Sequence, residues 1–447
     1  MKRIALLLAF SATFLLGACG GESKLPNPTG KASVSAVNAI YGSPSINFQI
    51  EERSLGSVAY KSTTVAANYD DLEYNFNFDV LLADGNAATR IIRQSIDLIA
   101  DQQYTLLAGG TLTAPTLTIW ETAIREFTDT DTVFQARFAH TSVTLGNIDV
   151  YFASAGVAPV LGDQVATLSL NDISAPLDFE AGDYVVTLTS SGDPADILFQ
   201  SQASTILSRT KLIITPFDGD ANDTSPIVVR GLGENGGAIT FHDPLYPSTL
   251  QFLHAARDLG ISDVYDDEAL TSQVLANHDH TQLTADMPLT AGEYNYFYTP
   301  AGDTAAVTLT TTIGISNGAH FRVIAIGTGG VYTTTNIALD RRSITTAAKL
   351  NVFNSSSNFD FTNLYVVNAG ETIEGVAPFR VGLISRAFNP SFALRAGSFD
   401  VYLTSFTDPA IIAGPYRLDA AIGDVIDMVI FDTADTAVLD IVVFPVP

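Results

Sequence analysis

Several short segments of this chain carry side chains suited to acid–base, nucleophilic or metal chemistry. His140 and His254 each precede an aspartate by nine residues, Asp149 and Asp263. An imidazole base oriented by a carboxylate would use such a pair. Two further segments place Asn38 before Asn47 and Asn354 before Asn363 at the same interval. A copy without acid and base cannot keep the chemistry, though it can keep a fold. The four pairs are therefore expected to be structural, each residue lying beside its partner and tying a loop, since imidazole with carboxylate and amide with amide can both hydrogen-bond.

Gly314-Ile315-Ser316-Asn317-Gly318 has the spacing of a hydrolase nucleophile elbow. That device needs a strand-to-helix turn with an acid and a histidine downstream. Here strand-like runs flank the motif and no histidine follows His320, so a tight turn is expected. His278 and His280 stand two apart, on one face of an extended segment, but zinc usually takes three or more protein ligands. No third offers itself, and a solvated edge is expected. Asp218-Gly219-Asp220-Ala221-Asn222-Asp223 opens like a calcium loop, yet its sixth and twelfth positions are Asp223 and Val229 where Gly and Glu are needed. A solvated acidic turn is the expectation, with an irregular calcium site as the other reading. No catalytic residue, metal ligand or cofactor is assigned.

The elements that would position these residues repeat. Val34–Asn38, Gln135–His140, Leu250–His254 and Leu350–Asn354 are alternating runs ending in a polar residue. Nine residues after each polar end, an Asn or Asp opens a second run. Ala181-Gly182-Asp183-Tyr184, Ala291-Gly292-Glu293-Tyr294 and Ala396-Gly397-Ser398-Phe399 each start a further alternating run, and nine residues past each aromatic stands Asp193, Asp303 or Asp408. Period-two alternation puts one face in a core, with Tyr184, Val186 and Leu188 inward. Many short strands with turn signals at this spacing predict an all-β fold of about four tandem Ig-like antiparallel β-sandwich domains. The predicted boundaries are 32–121, 132–242, 248–340 and 347–447, the first copy being divergent. Trp120, the only tryptophan, ends the first copy and is expected to pack in a core rather than stack on a ligand.

Through His140, Asp149-Val150-Tyr151 and Ala181-Gly182-Asp183-Tyr184 the chain resembles the family called domain of unknown function 4397. The resemblance is strongest in the second and third copies, weaker in the fourth and weakest in the first. It implies an Ig-like sandwich outside the cytoplasm, and no activity, because the family has no established site residues.

Cys19 is the single cysteine, so no intramolecular disulfide can form. Met1-Lys2-Arg3, the apolar run 4–16 and small residues before Cys19 read as an export signal. Leu16-Gly17-Ala18-Cys19 resembles the recognition box of a bacterial lipoprotein, which would remove residues 1–18 and place lipid on Cys19. Residues 19–31 then form a flexible tether. The apolar run is too short for a spanning helix. Gly20 in place of Asp favours the outer membrane in a two-membrane host.

Lys+Arg number 22 against 48 Asp+Glu, a formal charge of −26. That acidic field argues against nucleic-acid partners. The expectation is a non-enzymatic, lipid-anchored protein of the cell envelope, with a binding, adhesion or spacer role toward an unknown protein or glycan. Its rival is an envelope hydrolase or metal-dependent enzyme.

Overall fold

A computed structural model describes residues 27–80 and 89–446, and Leu16, Gly17, Ala18 and Cys19 lie outside them. The described residues are almost all strand and turn, with no α-helix. Among the described residues, nine strands come first: β1 (Lys31–Asn38), β2 (Ile46–Ile50), β3 (Arg53–Val58), β4 (Ser62–Thr63), β5 (Ala67–Asp70), β6 (Glu73–Val80), β7 (Thr89–Asp97), β8 (Gln102–Thr111) and β9 (Ala114–Ala123). They form two sheets. One has the order β4-β1-β8-β9 with β5 also on β1, and the other has the order β3-β2-β6-β7.

The same arrangement recurs three more times, giving eight sheets that face each other in pairs across four hydrophobic clusters. Each pair is a β-sandwich. The strands pair antiparallel with one exception per sandwich, so antiparallel sheets are only part of the description. β1 runs parallel to β8, and Val133–Phe138, Ser248–His254 and Ala348–Asn354 likewise run parallel to Lys211–Asp218, His320–Thr328 and Val425–Asp432. The chain leaves the first strand for the opposite sheet and returns beside it in the same direction.

The alternating runs form central strands. Val186 and Leu188 are buried to 0% and 1%, and the half-buried Tyr184 packs against the same cluster. Phe76, Phe78, Tyr296, Tyr298, Val401 and Leu403 take equivalent buried positions. The residues that close these runs act locally: the Asp193, Asp303 and Asp408 carboxylates each accept the backbone N–H two residues on, the turn chemistry of aspartate.

The first strands are buried on both faces. Val34 and Ala36 enter their own core, while Val37 joins Leu107, Trp120, Ala139 and Phe217 between the first and second sheet pairs. Leu253, Ile324, Phe353, Val429 and Phe431 form the corresponding contact between the third and fourth. Trp120 thus packs in a buried cluster, one formed between sandwiches, its indole N–H donating to the Asn171 carbonyl at 2.9 Å. An apolar outer face on one sheet was covered by docking against the same face of the next.

Candidate functional site

The paired polar residues do not bond one another in any copy. His140 Nε2 meets the Gly146 carbonyl and His254 Nε2 the Gly260 carbonyl, both at 2.8 Å. Asn38 bonds Ser43, the Val58 carbonyl and the Ile40 N–H. Asn354 bonds the Leu383 carbonyl and the Ser356 N–H. Their nine-residue partners serve other segments. Asp149 accepts from Thr167, Ser191 and the Gly192 N–H, and Asp263 accepts from the Asn277 and Gly302 N–H groups. Asn47 accepts from Ser54, and Asn363 holds the Gly382 N–H and the Ser405 carbonyl. The constant interval reflects equivalent strand positions, and each side chain satisfies the loop nearest to it. No base is oriented by a carboxylate here.

The remaining candidates resolve differently. Ser316 sits in a turn between Leu309–Ile315 and His320–Thr328, with its carbonyl accepting from Ser248. His278 and His280 are not a solvated edge. His278 is 4% exposed and His280 is half-buried against Phe431 of the fourth sheet pair at 5.4 Å between ring centres. His254 supplies the third imidazole that the sequence did not offer, 5.6 Å from the His278 ring and 6.3 Å from the His280 ring. Among the described residues, no three or more His, Cys, Asp or Glu are disposed to hold a metal ion.

Burial, helped by the neighbouring His254, holds His278 down at about 4, and burial likewise lowers His254 and His280. The folded state thus binds these protons less readily than the unfolded chain. The stabilisation is complete above about pH 6.5 and is lost as the pH falls toward 4. For His278 the loss should reach roughly 3 kcal/mol. Denaturation midpoints followed from pH 7 to 4 should fall less steeply for His278→Gln than for the parent. Parallel curves would show that this imidazole titrates as in the unfolded chain.

The acidic turn at 218–223 is no solvated loop: Asp218 is buried, Asp220, Asn222 and Asp223 are half-buried, and Ala221 is exposed. Asp218 accepts from Ser142, Thr144 and the Val143 and Thr144 N–H groups. Asp432 does the same for Ser356, the Ser357 N–H and Asn358 in the fourth pair. Asp220 and Asp223 receive Lys61 from the first pair, in an ion pair whose members are all largely buried. Burial pushes Asp223 upward against the pull of Lys61. The Asn222 side-chain carbonyl accepts the Arg341 and Arg342 N–H groups, and Arg342 in turn donates to the Ser43 carbonyl. Segment 340–345, between the third and fourth pairs, is therefore fastened to both the first and the second.

Beside this junction lies a cleft of about 1020 Å³. Pro44 and Ser45, from the β1–β2 loop, form one side. The other is the edge of the fourth pair, where Arg380–Ile384 and Ala387–Leu394 end opposite sheets. Arg342, Lys349, Arg380 and Arg395 line it, with Asp340 as the one carboxylate. Lys349 pairs with Asp340. Burial raises Asp340, but Lys349, Asn222 and Arg342 outweigh it and hold the carboxyl below its usual range. Arg380 lies 5.3 Å over the Phe392 ring and Arg395 5.1 Å over Phe399, both arginines being exposed. Phe379 meets Phe392 edge to face. These residues were missed in the sequence, although a charge window carried the signal. Residues 341–395 hold six Lys/Arg (341, 342, 349, 380, 386, 395) against three Asp/Glu (360, 371, 374), in a chain where acids outnumber bases twofold.

Residues 32–151 match the family described as "Domain of unknown function (DUF4397)". The match covers the first sheet pair and the opening strands of the second, with His140 and Asp149-Val150-Tyr151 inside it. No curated protein matches the chain. Among solved structures, the Bacillus anthracis TIE protein is similar at 10% identity over 91% of this chain and 69% of its own, with a TM-score of 0.15. A family CBM26 module of Eubacterium rectale Amy13K, in complex with maltoheptaose, matches at 9% identity over 47% and 96%, with a TM-score of 0.14. The multi-modular glycogen-degrading pneumococcal virulence factor SpuA matches at 7% identity over 86% and 38%, with a TM-score of 0.16. Scores this low carry no functional argument.

Proposed function

We propose that this chain is a non-enzymatic binding protein of the bacterial cell envelope, held to the membrane by lipid on Cys19. Its four sandwich domains, 32–121, 132–242, 248–340 and 347–447, act as one docked body. The observation that carries this reading is the use made of the recurring polar residues. His140, His254, Asp149 and Asp263 are buried and each is bonded to loop groups, so the frame holds loops and leaves function to surfaces between domains. The buried ion pairs and the two apolar contacts favour a compact binder over an extensible spacer.

Assay of the purified chain against general esterase, phosphatase, glycosidase and peptidase substrates, with and without chelator, should give no turnover above the buffer blank. Chelator-sensitive turnover would replace this reading with a metal-dependent enzyme. Anchoring is tested separately. Cys19→Ser should abolish palmitate labelling and move the protein to the soluble fraction, since two acyl chains suffice for stable attachment. A labelled, membrane-bound variant would contradict the anchor.

A further inference from the structure

We infer that the side chains of Lys61 and Asp223 join in an amide bond made by the chain itself, tying the first sandwich covalently to the second. This goes beyond the binding reading above and leaves it standing either way, since the bond forms once per molecule without turnover of a substrate. The reacting groups form a buried triad. Lys61 stands in the turn between β3 and β4, and Asp220 and Asp223 follow the strand Lys211–Asp218. Their side chains are 8%, 5% and 16% exposed. Lys61 Nζ donates to Asp223 Oδ2, and Asp220 Oδ2 lies 2.9 Å from the same nitrogen with no hydrogen-bond partner of its own. Lys61 also holds φ at 65°, a left-handed conformation that costs a lysine free energy.

One ammonium cannot compensate two carboxylates away from water, so one of the acids keeps its proton. Burial pushes Asp223 upward, and the charge of Asp220 adds to this against the pull of Lys61. A neutral carboxyl is the form that an amine attacks. Asp220 takes one proton from the ammonium and frees the amine. The nitrogen lone pair then bonds to Cγ of Asp223. The C–OH bond breaks, and the hydroxyl leaves as water with a second proton from the nitrogen. The third proton stays as the amide N–H, and the one on Asp220 exchanges with solvent. No oxidant or cofactor enters the balance. The Asp220 backbone N–H donates to Asp223 Oδ2 at 2.9 Å, so charge growing on that oxygen meets a donor already in place. Holding amine and carboxyl in contact replaces a bimolecular encounter. Tyr60 and Phe217, both buried, meet edge to face beside Nζ and shield the bond from hydrolysis.

The test is a tryptic digest of the denatured full chain, read by tandem mass spectrometry. Trypsin does not cut at an acylated lysine. Peptide 54–90, uncut at Lys61, should therefore appear joined to peptide 212–230, lighter than the two together by one water. Fragment ions should place the link on Lys61 and Asp223. Lys61→Arg keeps the cation but has no amine to acylate, and should lose the joined peptide entirely. Asp220→Asn removes the base at constant size and should lower its yield at least tenfold, while Asp220→Glu, which restores a carboxylate, should recover it. Peptides 54–61 and 212–230 recovered separately from the parent would overturn the bond. A link on Asp220 would overturn Asp223 as the acceptor, and a full yield from Asp220→Asn would overturn Asp220 as the base.

Discussion

Replacing Val186 by aspartate is expected to destabilise the second sandwich by about 5 kcal/mol. Val186 is fully buried in the middle of Gly182–Ser190, a strand paired on both sides, and packs in the cluster with Phe134, Phe152 and Phe199. Two losses combine. The apolar contact of a buried valine goes, roughly 2 kcal/mol, and a carboxyl enters a space lined by aromatic and aliphatic side chains. Desolvation would raise its pKa, so the destabilisation should shrink when the variant is measured at acid pH, where the group is neutral. Val186→Ala removes only the contact and should cost about 1–3 kcal/mol. Urea denaturation of the three proteins gives the ranking. An aspartate variant that melts with the parent would mean that Val186 faces out.

Asp427→Ala should cost about 3–5 kcal/mol and should act at the contact between the third and fourth sandwiches. Asp427 and Arg322 are 6% and 4% exposed and lie 2.9 Å apart across that contact. The guanidinium also donates twice to Gln251, and Asn351 donates to the other oxygen of Asp427 at 2.8 Å. Removing the carboxylate leaves a cation that does not deprotonate, buried with a neutral amide for company. Separation of the two sandwiches relieves it. The paired change Arg322→Met with Asp427→Leu removes both charges together and should fall within about 1 kcal/mol of the parent, because two apolar side chains need no desolvation. If Asp427→Ala leaves the denaturation midpoint in place, the contact does not form in solution.

Local chemistry was legible in the sequence, and docking was not. The alternation through Tyr184, Val186 and Leu188 reports which side faces a core because strand geometry alone imposes it. Asp193, Asp303 and Asp408 could be read as turn residues because each bonds a backbone N–H two positions away. Gln251, Asn351, Arg322 and Asp427 are polar residues on outer faces, where alternation says water. They are buried because another sandwich covers them, and nothing within a strand signals that cover. The same cause turned the acidic run 218–223 from a solvated turn into the holder of Lys61 and Arg341. The interval of nine between His140 and Asp149 was real but misread. It records repeated strand positions, while each side chain takes its hydrogen-bond partners from the loop nearest to it, as His140 and His254 do with the Gly146 and Gly260 carbonyls. The cleft at the edge of the fourth pair is lined by Pro44 and Arg395 together, more than three hundred residues apart in the chain, and only the uneven distribution of scarce basic residues hinted at it.

The account stands on the four sandwiches acting as one docked body, and small-angle scattering of the chain from Cys19 onward tests that most directly. A compact chain of this length has a radius of gyration of about 22 Å. The docked arrangement should lie close to that value. It should keep that value when salt screens exposed charges, since the joining pairs Lys61–Asp220 and Arg322–Asp427 are buried. A radius about twice as large, with the scattering of four beads on flexible links, would contradict the account and dissolve the cleft with it.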